Sequence, residues 1–314
     1  MKPWTSLKVE SIKGDKKSLL RDITINGILG INEDEFPTTN PFYQKNENLR
    51  ASNILFEYTD EEKETICKIH KDPQYLASLI RIFDKKITLR DYQQESIDNY
   101  KSNRFNIIVN SRQTGSTTTL AIQALHYILS NHGKSIAIFA NKIDAATEIL
   151  DKIKQLYYTL PYYAKPGVKA WNIKAVDFDN GCRIRCHASN KNLAIGYTID
   201  FAIIESIAHM YPTKANTIST VLIPIMSATS NSKITIVSTP NGNNHFKKLV
   251  DDNSNSFKKQ WIYWYQVPGR DEAWKQQEIY NIGGREAFAQ EYDLLFQGTK
   301  EWKRYFNLEN IVPD

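Results

Sequence analysis

Apolar residues in this chain fall in short runs separated by amphipathic stretches, and that alternation predicts its elements. Phe105 to Asn110 (FNIIVN) is a short, mostly apolar run with polar flanks, the pattern of a strand buried on both faces. A polar loop follows, then a helical stretch from about Thr117 to Leu129. Ser135 to Ala140 (SIAIFA) predicts a second strand, and Ala145 to Leu160 a second helix. Further strands are predicted at Gly181 to Ala188 (GCRIRCHA), Phe201 to Ile204, Ile234 to Ser238 and Gln260 to Tyr265 (QWIYWY). Strands alternating with helices imply an α/β fold, a doubly wound, mostly parallel sheet with helices on both faces. Val176 to Ala188, turning at Asp179-Asn180-Gly181, predicts a hairpin added to that sheet.

Upstream the pattern weakens. Residues 1–55 are polar and rich in turn-formers such as Asn32-Glu33-Asp34 and Pro37-Thr38-Thr39-Asn40-Pro41, which predicts an arm or lid outside the core. From Thr59 the chain turns helical. Thr59-Asp60-Glu61-Glu62 offers a cap and an acidic first turn, with Ile66, Ile69, Tyr75, Leu76, Leu79 and Ile80 as the apolar positions. This predicts a small helical lid subdomain ahead of the sheet.

Composition sets bounds and leaves the chemistry open. A chain of 314 residues can bury one large core, or one core with a smaller flanking subdomain. With 40 basic and 35 acidic side chains the net charge is +5, so a nucleic-acid surface would have to come from local clustering. Three cysteines, an odd number, argue against a disulfide framework and fit a reducing compartment. The opening Met1-Lys2-Pro3-Trp4 lacks a signal-peptide run, and no apolar run approaches the ~20 residues of a membrane span. A soluble intracellular protein with no membrane partner is expected.

The stretch Ile107-Ile108-Val109-Asn110-Ser111-Arg112-Gln113-Thr114-Gly115-Ser116-Thr117-Thr118 runs strand, polar loop, glycine, small hydroxyl residues, helix. That is the layout of a phosphate cradle, in which loop amides and a helix N-terminus face an anion. Against the phosphate-loop pattern G-x-x-x-x-G-K-[ST], Asn110 stands at the first glycine and Gly115 at the second. Ser116 stands at the lysine, and Thr117 at the magnesium-binding hydroxyl. By itself, Gly-Ser-Thr-Thr reads equally as a capped helix start.

Leu89-Arg90-Asp91-Tyr92-Gln93 lies shortly upstream. Together with Ser111-Arg112-Gln113-x-Gly115-x-Thr117-Thr118 it resembles the large terminases of tailed phages related to the T-even type, the DNA-packaging motors. The resemblance continues in order through Ala140-Asn141-Lys142, Glu148-Ile149-Leu150-Asp151, Leu160-Pro161, Pro166-Gly167-Val168, Trp171-Asn172 and Asp179-Asn180-Gly181. It goes on through Ala188-Ser189, Ser238-Thr239-Pro240-Asn241-Gly242, His245-Phe246 and Phe296-Gln297-Gly298-Thr299, so it covers about residues 55 to 300. It implies a P-loop ATPase of additional-strand type over residues 56–300, with 301–314 as a tail. The nucleotide would sit between Gln93, the 110–118 loop and Glu205. The resemblance makes Gln93 the reader of adenine and Arg112 a stabiliser of phosphate charge. It also implies Ser111, Gln113, Gly115, Ser116, Thr117 and Thr118 as the ATP cradle, with Thr117 and Glu205 as the Mg ligands where Mg is bound. Thr239-Pro240-Asn241-Gly242 matches a coupling motif whose hydroxyl senses the γ-phosphate, although the tetrapeptide is also an ordinary strand-end turn.

The sequence departs from the family at its chemistry. Such ATPases end a strand in Asp-Glu, the Asp holding magnesium through water and the Glu polarising the attacking water. Here Phe201-Ala202-Ile203-Ile204 ends in Glu205-Ser206, so Ser206 stands where the catalytic glutamate belongs. If Glu205 is instead that glutamate, Ile204 replaces the metal-binding Asp, and one carboxylate is missing either way. Losing one charge-stabilising donor costs ~10²–10³ in rate, and losing a positioned acid-base group ~10²–10⁴. The two do not simply multiply. ATP hydrolysis is expected to be weak or lost. Ile195 before Gly196 is a further departure, because the family often carries a basic residue there.

Other features have alternative readings. Cys182, Cys186 and His187 lack the second pair a zinc site needs. Arg183, Arg185 and His187 read as a solvated edge face or as phosphate contacts, and Trp261-Ile262-Tyr263-Trp264-Tyr265 as a buried strand or a base-stacking surface. Lys247, Lys248, Lys258 and Lys259 are candidate phosphate contacts, and Lys134 or Lys142 a candidate for reaching the loop. Large terminases usually continue into an RNase-H-like nuclease domain, for which this sequence has no room, so nuclease activity is not expected. The resemblance implies double-stranded DNA, the phage portal, and a homo-oligomeric ring or a mixed ring with an active terminase as partners, in the host cytoplasm. The competing expectation is a non-catalytic terminase-like assembly or regulatory protein acting through a partner.

Overall fold

The computed structural model describes residues 40–54, 57–82, 85–188, 198–228 and 230–306. A short antiparallel pair, β1 (Arg81–Ile82) with β2 (Lys85–Lys86), stands apart from the main sheet. The main sheet contains β3 (Phe105–Asn110), β4 (Ser135–Ala140), β5 (Val168–Asn172), β6 (Ala175–Phe178), β7 (Arg183–Ala188), β8 (Phe201–Glu205), β9 (Lys233–Ser238) and β10 (Lys258–Ile262). Their order is β10-β3-β9-β8-β4-β7-β6-β5. β10, β3, β9 and β8 pair in parallel, whereas β5, β6 and β7 form an antiparallel meander. Every residue of β3 and β4 is buried, as expected of mostly apolar strands inside a sheet.

Contacts divide the chain into two units. The first comprises Met1–Thr88, Ala121–Ile136 and Leu150–Arg185, and the second Leu89–Leu120, Ala137–Ile149 and Cys186–Asp314.

In the first unit, Thr59 caps the helix Asp60–Lys71 through the reciprocal pair expected of Thr-x-x-Glu. Glu62 N donates to Thr59 Oγ1 at 3.2 Å, and Thr59 N to Glu62 Oε2 at 2.9 Å. The apolar stretch through Ile80 is not continuous. Asp72 leaves the helical region and caps a new helix, Pro73–Leu79, because proline disfavours helix in the residue before it and suits a first turn. The end of the polar N-terminal segment also differs from expectation. Leu49, Ala51 and Ile54 are buried, and Arg50, 1% exposed, donates to the carbonyls of Lys165 (2.8 Å) and Ile54 (3.2 Å). A guanidinium with backbone acceptors can be buried, and composition alone does not reveal that.

The hairpin at Asp179-Asn180-Gly181 forms as expected, with Gly181 at φ 77° and its N–H donating to Phe178 O at 3.1 Å. β5 joins it, a strand whose polar composition (VKAWN) gave no sign of one. β7 is an interior strand, not the edge expected. Arg185 is ion-paired with Asp177 at 2.6 Å, and the ring of His187 stacks on Phe139 with centroids 5.2 Å apart.

The second unit packs Ile107, Val109, Ile204, Ile236, Phe246 and Phe296 in one cluster. The expected buried strand Gln260 to Tyr265 ends at Ile262, after which Trp264–Gln266 form a 3-10 turn. β10 lies at the end of the strand order, so Trp261 is 37% exposed and, beyond the strand, Tyr265 is 61% exposed. Trp264 is buried instead with Phe288 and Tyr292 in a separate cluster. The presumed tail begins with a helix, Lys300–Tyr305, whose Trp302 is buried.

In the first unit, Asp179 Oδ1 accepts from Gly167 N at 2.8 Å. Burial pushes this carboxyl up to about 6, against the opposing pull of Arg50. A folded-state pKa raised from 3.8 means that the folded protein binds this proton more tightly than the unfolded chain. The resulting stabilisation is complete below pH ~4 and is lost as pH rises through ~6. The difference in unfolding free energy between wild type and Asp179→Asn should therefore fall by roughly 2–3 kcal/mol between pH 4 and 6.5. It should be flat above. Urea denaturation at stepped pH measures it, and a pH-independent difference would refute the assignment.

Candidate functional site

β3 runs out of apolar sequence at Asn110, and the chain crosses a polar loop before the helix Ser116–Leu129 begins. Two residues of that loop are left-handed: Gln113 at φ 59° and Gly115 at φ 78°. The N–H groups of Thr118 and Thr119 return to the carbonyl of Gly115 at 3.1 and 3.3 Å, closing the first helical turn. Asn110, at the position of the pattern's first glycine, braces the loop from within. Its Nδ2 donates to Ser111 O (3.1 Å), Thr114 Oγ1 (3.2 Å) and Ser116 Oγ (3.4 Å). The hydroxyl of Ser116 therefore takes part in this internal network. Thr117 is exposed and Thr118 half-buried at the helix start. Ser111 Oγ and Asn110 Oδ1 are buried without a hydrogen-bond partner among the described residues. Buried polar atoms of that kind cost energy unless something pairs with them.

Distant segments hold the loop's outer side. Ser111 N donates to Ile262 O at 2.8 Å and Arg112 N to Glu291 O at 3.1 Å. The Arg112 side chain pairs with the Glu291 carboxylate, Nε to Oε2 at 2.8 Å. Arg270 donates to Arg112 O at 3.0 Å and, more weakly, to Gln113 O at 3.4 Å. Gln93 is not free to read a base in this conformation. Its Nε2 donates to Thr114 O at 3.2 Å and its Oε1 accepts from Arg90 N at 3.0 Å, so it braces the loop. Tyr92 does the same through its hydroxyl, 3.0 Å from Thr114 O.

At the end of β8, Glu205 is half-buried and Ser206 takes a left-handed conformation at φ 58°. Ser206 N donates to Val237 O at 2.8 Å, and Ser206 Oγ to Glu205 Oε1 at 2.5 Å. Burial pushes the Glu205 carboxyl up; the Ser206 hydrogen bond opposes the shift, Glu148 adds to it and Arg112 opposes it. The short turn Ile207–His209 follows, tied tightly to the segment after β9. Ala208 N donates to Ser238 Oγ at 3.2 Å, while Asn241 Nδ2 (3.0 Å) and Asn244 Nδ2 (2.9 Å) donate to Ala208 O. His209 Nε2 lies 2.7 Å from Thr239 Oγ1. Burial pushes the His209 ring down; Glu291 opposes this and Arg112 adds to it. Loop and strand ends thus share one electrostatic neighbourhood.

The structure brings Gln93, residues 110–116 and Thr118 into one hydrogen-bonded network with Thr117 exposed beside it, and joins Glu205, Ser206, Thr239 and Asn241 in another. Asn241, expected at the nucleotide, holds the Ile207–His209 turn. Lys142 is exposed with its side chain outside these networks. Ser189, Ile195 and Gly196 lie outside the described residues. Sequence reasoning does not reach Arg270, Glu291, His209 and Asn244, because no local motif marks them. Arg270 and Glu291 meet Arg112 across 158 and 179 residues. A Cβ on Gly115 would lie 2.6 Å from Gln93 Nε2 on a left-handed backbone. Gly115→Ala should cost about 1–2 kcal/mol. An unchanged urea midpoint would show that the loop relaxes without penalty.

Residues 107–312 match the family described as terminase large subunit, T4likevirus-type, N-terminal. Among solved structures, the chain is similar to the large terminase ATPase domain of Thermus phage P74-26. The TM-score is 0.54 at 18% identity, covering 67% of this chain and 94% of that one. It is also similar to the large terminase of a thermophilic bacteriophage in complex with ADP, with a TM-score of 0.52 at 10% identity, over 66% of this chain and 54% of that one. The same phage protein in complex with ATP-γ-S gives 0.51 at 11% identity, over 67% and 53%. At these identities the likeness is one of fold, the P-loop type of α/β sheet.

Proposed function

This chain belongs to the T4likevirus-type terminase large-subunit family, and we propose that it is the ATPase-like domain of a viral DNA-packaging motor that binds nucleotide and hydrolyses it weakly or not at all. The observation that carries this is the internal use of both substituted serines. Ser116 Oγ is held by Asn110, and Ser206 Oγ donates to Glu205. A lysine and a second carboxylate would present charge at those places; the two hydroxyls are engaged by neighbours.

The residues present fit a phosphate ligand. Ser111 Oγ is a buried hydroxyl without a partner among the described residues, beside a loop with two left-handed residues and a helix N-terminus. Ser111, Gln113, Gly115, Ser116, Thr117 and Thr118 would cradle the phosphates. Thr117 and Glu205 would hold magnesium, which neutralises charge on the transferring phosphoryl group in such sites. Glu205 is a poorer ligand than a solvated carboxylate, because its burial favours the protonated form. Ser206 supplies no base at neutral pH. The hydrogen bonds from the Ile207–His209 turn to Ser238 and from Asn241 to that turn support coupling between the segment after β9 and the strand end. Double-stranded DNA, the portal and a ring of like subunits are the partners that family membership suggests.

A second reading has support from the same two serines. The chain would then keep the fold but do no chemistry, acting in a mixed ring with an active terminase or as an assembly protein.

The deciding experiment is calorimetric titration with ATP and magnesium, alongside DNA-stimulated phosphate release, on wild type and Ser116→Lys/Ser206→Glu. Binding without turnover by the wild type, with release rising ~10²-fold or more in the double variant, is expected. Brisk wild-type turnover would sink the claim of impairment. Absence of binding in both proteins would favour the non-catalytic partner role.

A further inference from the structure

We propose that Arg270 is the positioning residue of the phosphate-facing loop and supplies from behind it the fixed positive charge that Ser116 does not carry. This deepens the nucleotide-binding reading above and rests on it.

The geometry of the peptide group carries the inference. Arg270 Nη1 and Nη2 donate to the carbonyls of Arg112 and Gln113, at 3.0 and 3.4 Å. In a planar trans peptide the C=O and the following N–H point in opposite directions. The N–H groups of Gln113 and Thr114 therefore point away from Arg270, toward the loop's other side. Successive amides turned one way by a left-handed residue form an anion-binding nest, and Gln113 at φ 59° supplies that turn. A non-glycine residue keeps such a conformation only where its surroundings impose it. Arg270 bonds the carbonyls on both sides of that residue. A cation at the carbonyl end also polarises each peptide, which strengthens its N–H as a donor.

Arg270 is itself well fixed. Its guanidinium stands 4.6 Å from the Trp274 ring and 5.8 Å from the Tyr292 ring, an arrangement suited to a planar cation. It immediately precedes Asp271, which caps the helix Glu272–Asn281 through Trp274 N. The same stretch of chain also receives Ser111 N at Ile262 O and Arg112 N at Glu291 O. Three consecutive loop residues are thus anchored to residues 262–291. Arg112 is paired with Glu291, so part of its charge is already neutralised. The hydrogen bonds of the Arg270 guanidinium among the described residues go to uncharged loop oxygens.

The test uses the full chain with Arg270→Ala, Arg270→Gln and Arg270→Lys, each first shown to keep a wild-type-like circular dichroism spectrum. Binding of ATP, inorganic pyrophosphate and adenosine is measured by calorimetry, and hydrogen exchange is followed at the amides of Ser111 to Gly115. Arg270→Ala should weaken ATP and pyrophosphate about tenfold or more while leaving adenosine unchanged, and should speed exchange at Ser111 and Arg112. Arg270→Lys should recover much of the phosphate affinity, and Arg270→Gln, with donors but no charge, should not. A merely structural role would move all three ligands together. Equal ATP and pyrophosphate affinity in Arg270→Ala and wild type would overturn the proposal, as would full rescue by Arg270→Gln for its charge component. If the wild type binds no nucleotide, the functional reading fails. The exchange comparison then decides the positioning role alone: unchanged protection overturns it, and faster exchange supports it.

Discussion

The parallel pairing of β3, β9 and β8 is the constraint from which the rest of the second unit follows. Val109 lies opposite Ser238, and Val237 opposite Glu205, so the three strands leave their apolar stretch at nearly the same level. Each is largely buried, and each carries a polar residue at its C-terminal end: Asn110, Glu205 and Ser238. Three sets of polar residues therefore emerge side by side: the loop after Asn110, the Glu205–Ser206 turn, and the segment from Ser238. Ligands of open α/β sheets bind at such strand ends for this reason. The hydrogen bonds from Ser206 N to Val237 O and from Ala208 N to Ser238 Oγ show how closely two of these ends are tied.

On the reading proposed above, that arrangement gives Ser116 and Ser206 their meaning. A lysine and a glutamate placed here would be charges with nothing to do except meet a ligand. Serines form short local hydrogen bonds instead, with Asn110 and Glu205. The remaining charge is mostly paired or displaced: Arg112 with Glu291, Glu205 desolvated, His209 beside Thr239. Arg270, whose hydrogen bonds among the described residues go to uncharged loop oxygens, stands behind the loop on its carbonyl side. On the reading proposed above, a domain with this balance would hold phosphate through backbone geometry and one remote cation more than through side chains that change partners during a reaction.

Much of the architecture was legible because it is written in local patterns. Phe105 to Asn110 and Ser135 to Ala140 are predominantly apolar, and each is a strand of those bounds. Thr59 to Glu62 spelled a capping box, and Asp179-Asn180-Gly181 spelled a hairpin turn. Where the pattern was mixed, expectation failed. Val168–Asn172 pairs with β6 despite its polar residues, and the aromatic run after Gln260 leaves the sheet at Ile262 because the strand lies at the end of the strand order.

The sequence by itself determined the alternation of the central strands and helices, the loop before Ser116, and which residue types stand at the ends of β3 and β8. Those properties depend on periodicity, turn chemistry and residue type, all readable within a few positions. Only the tertiary structure decided what those residues touch. Gln93 braces the loop, Asn241 holds the Ala208 carbonyl, and Arg112 meets a glutamate 179 residues away. A side chain's partner is set by which distant segment the fold lays beside it, and no local pattern along the chain encodes that.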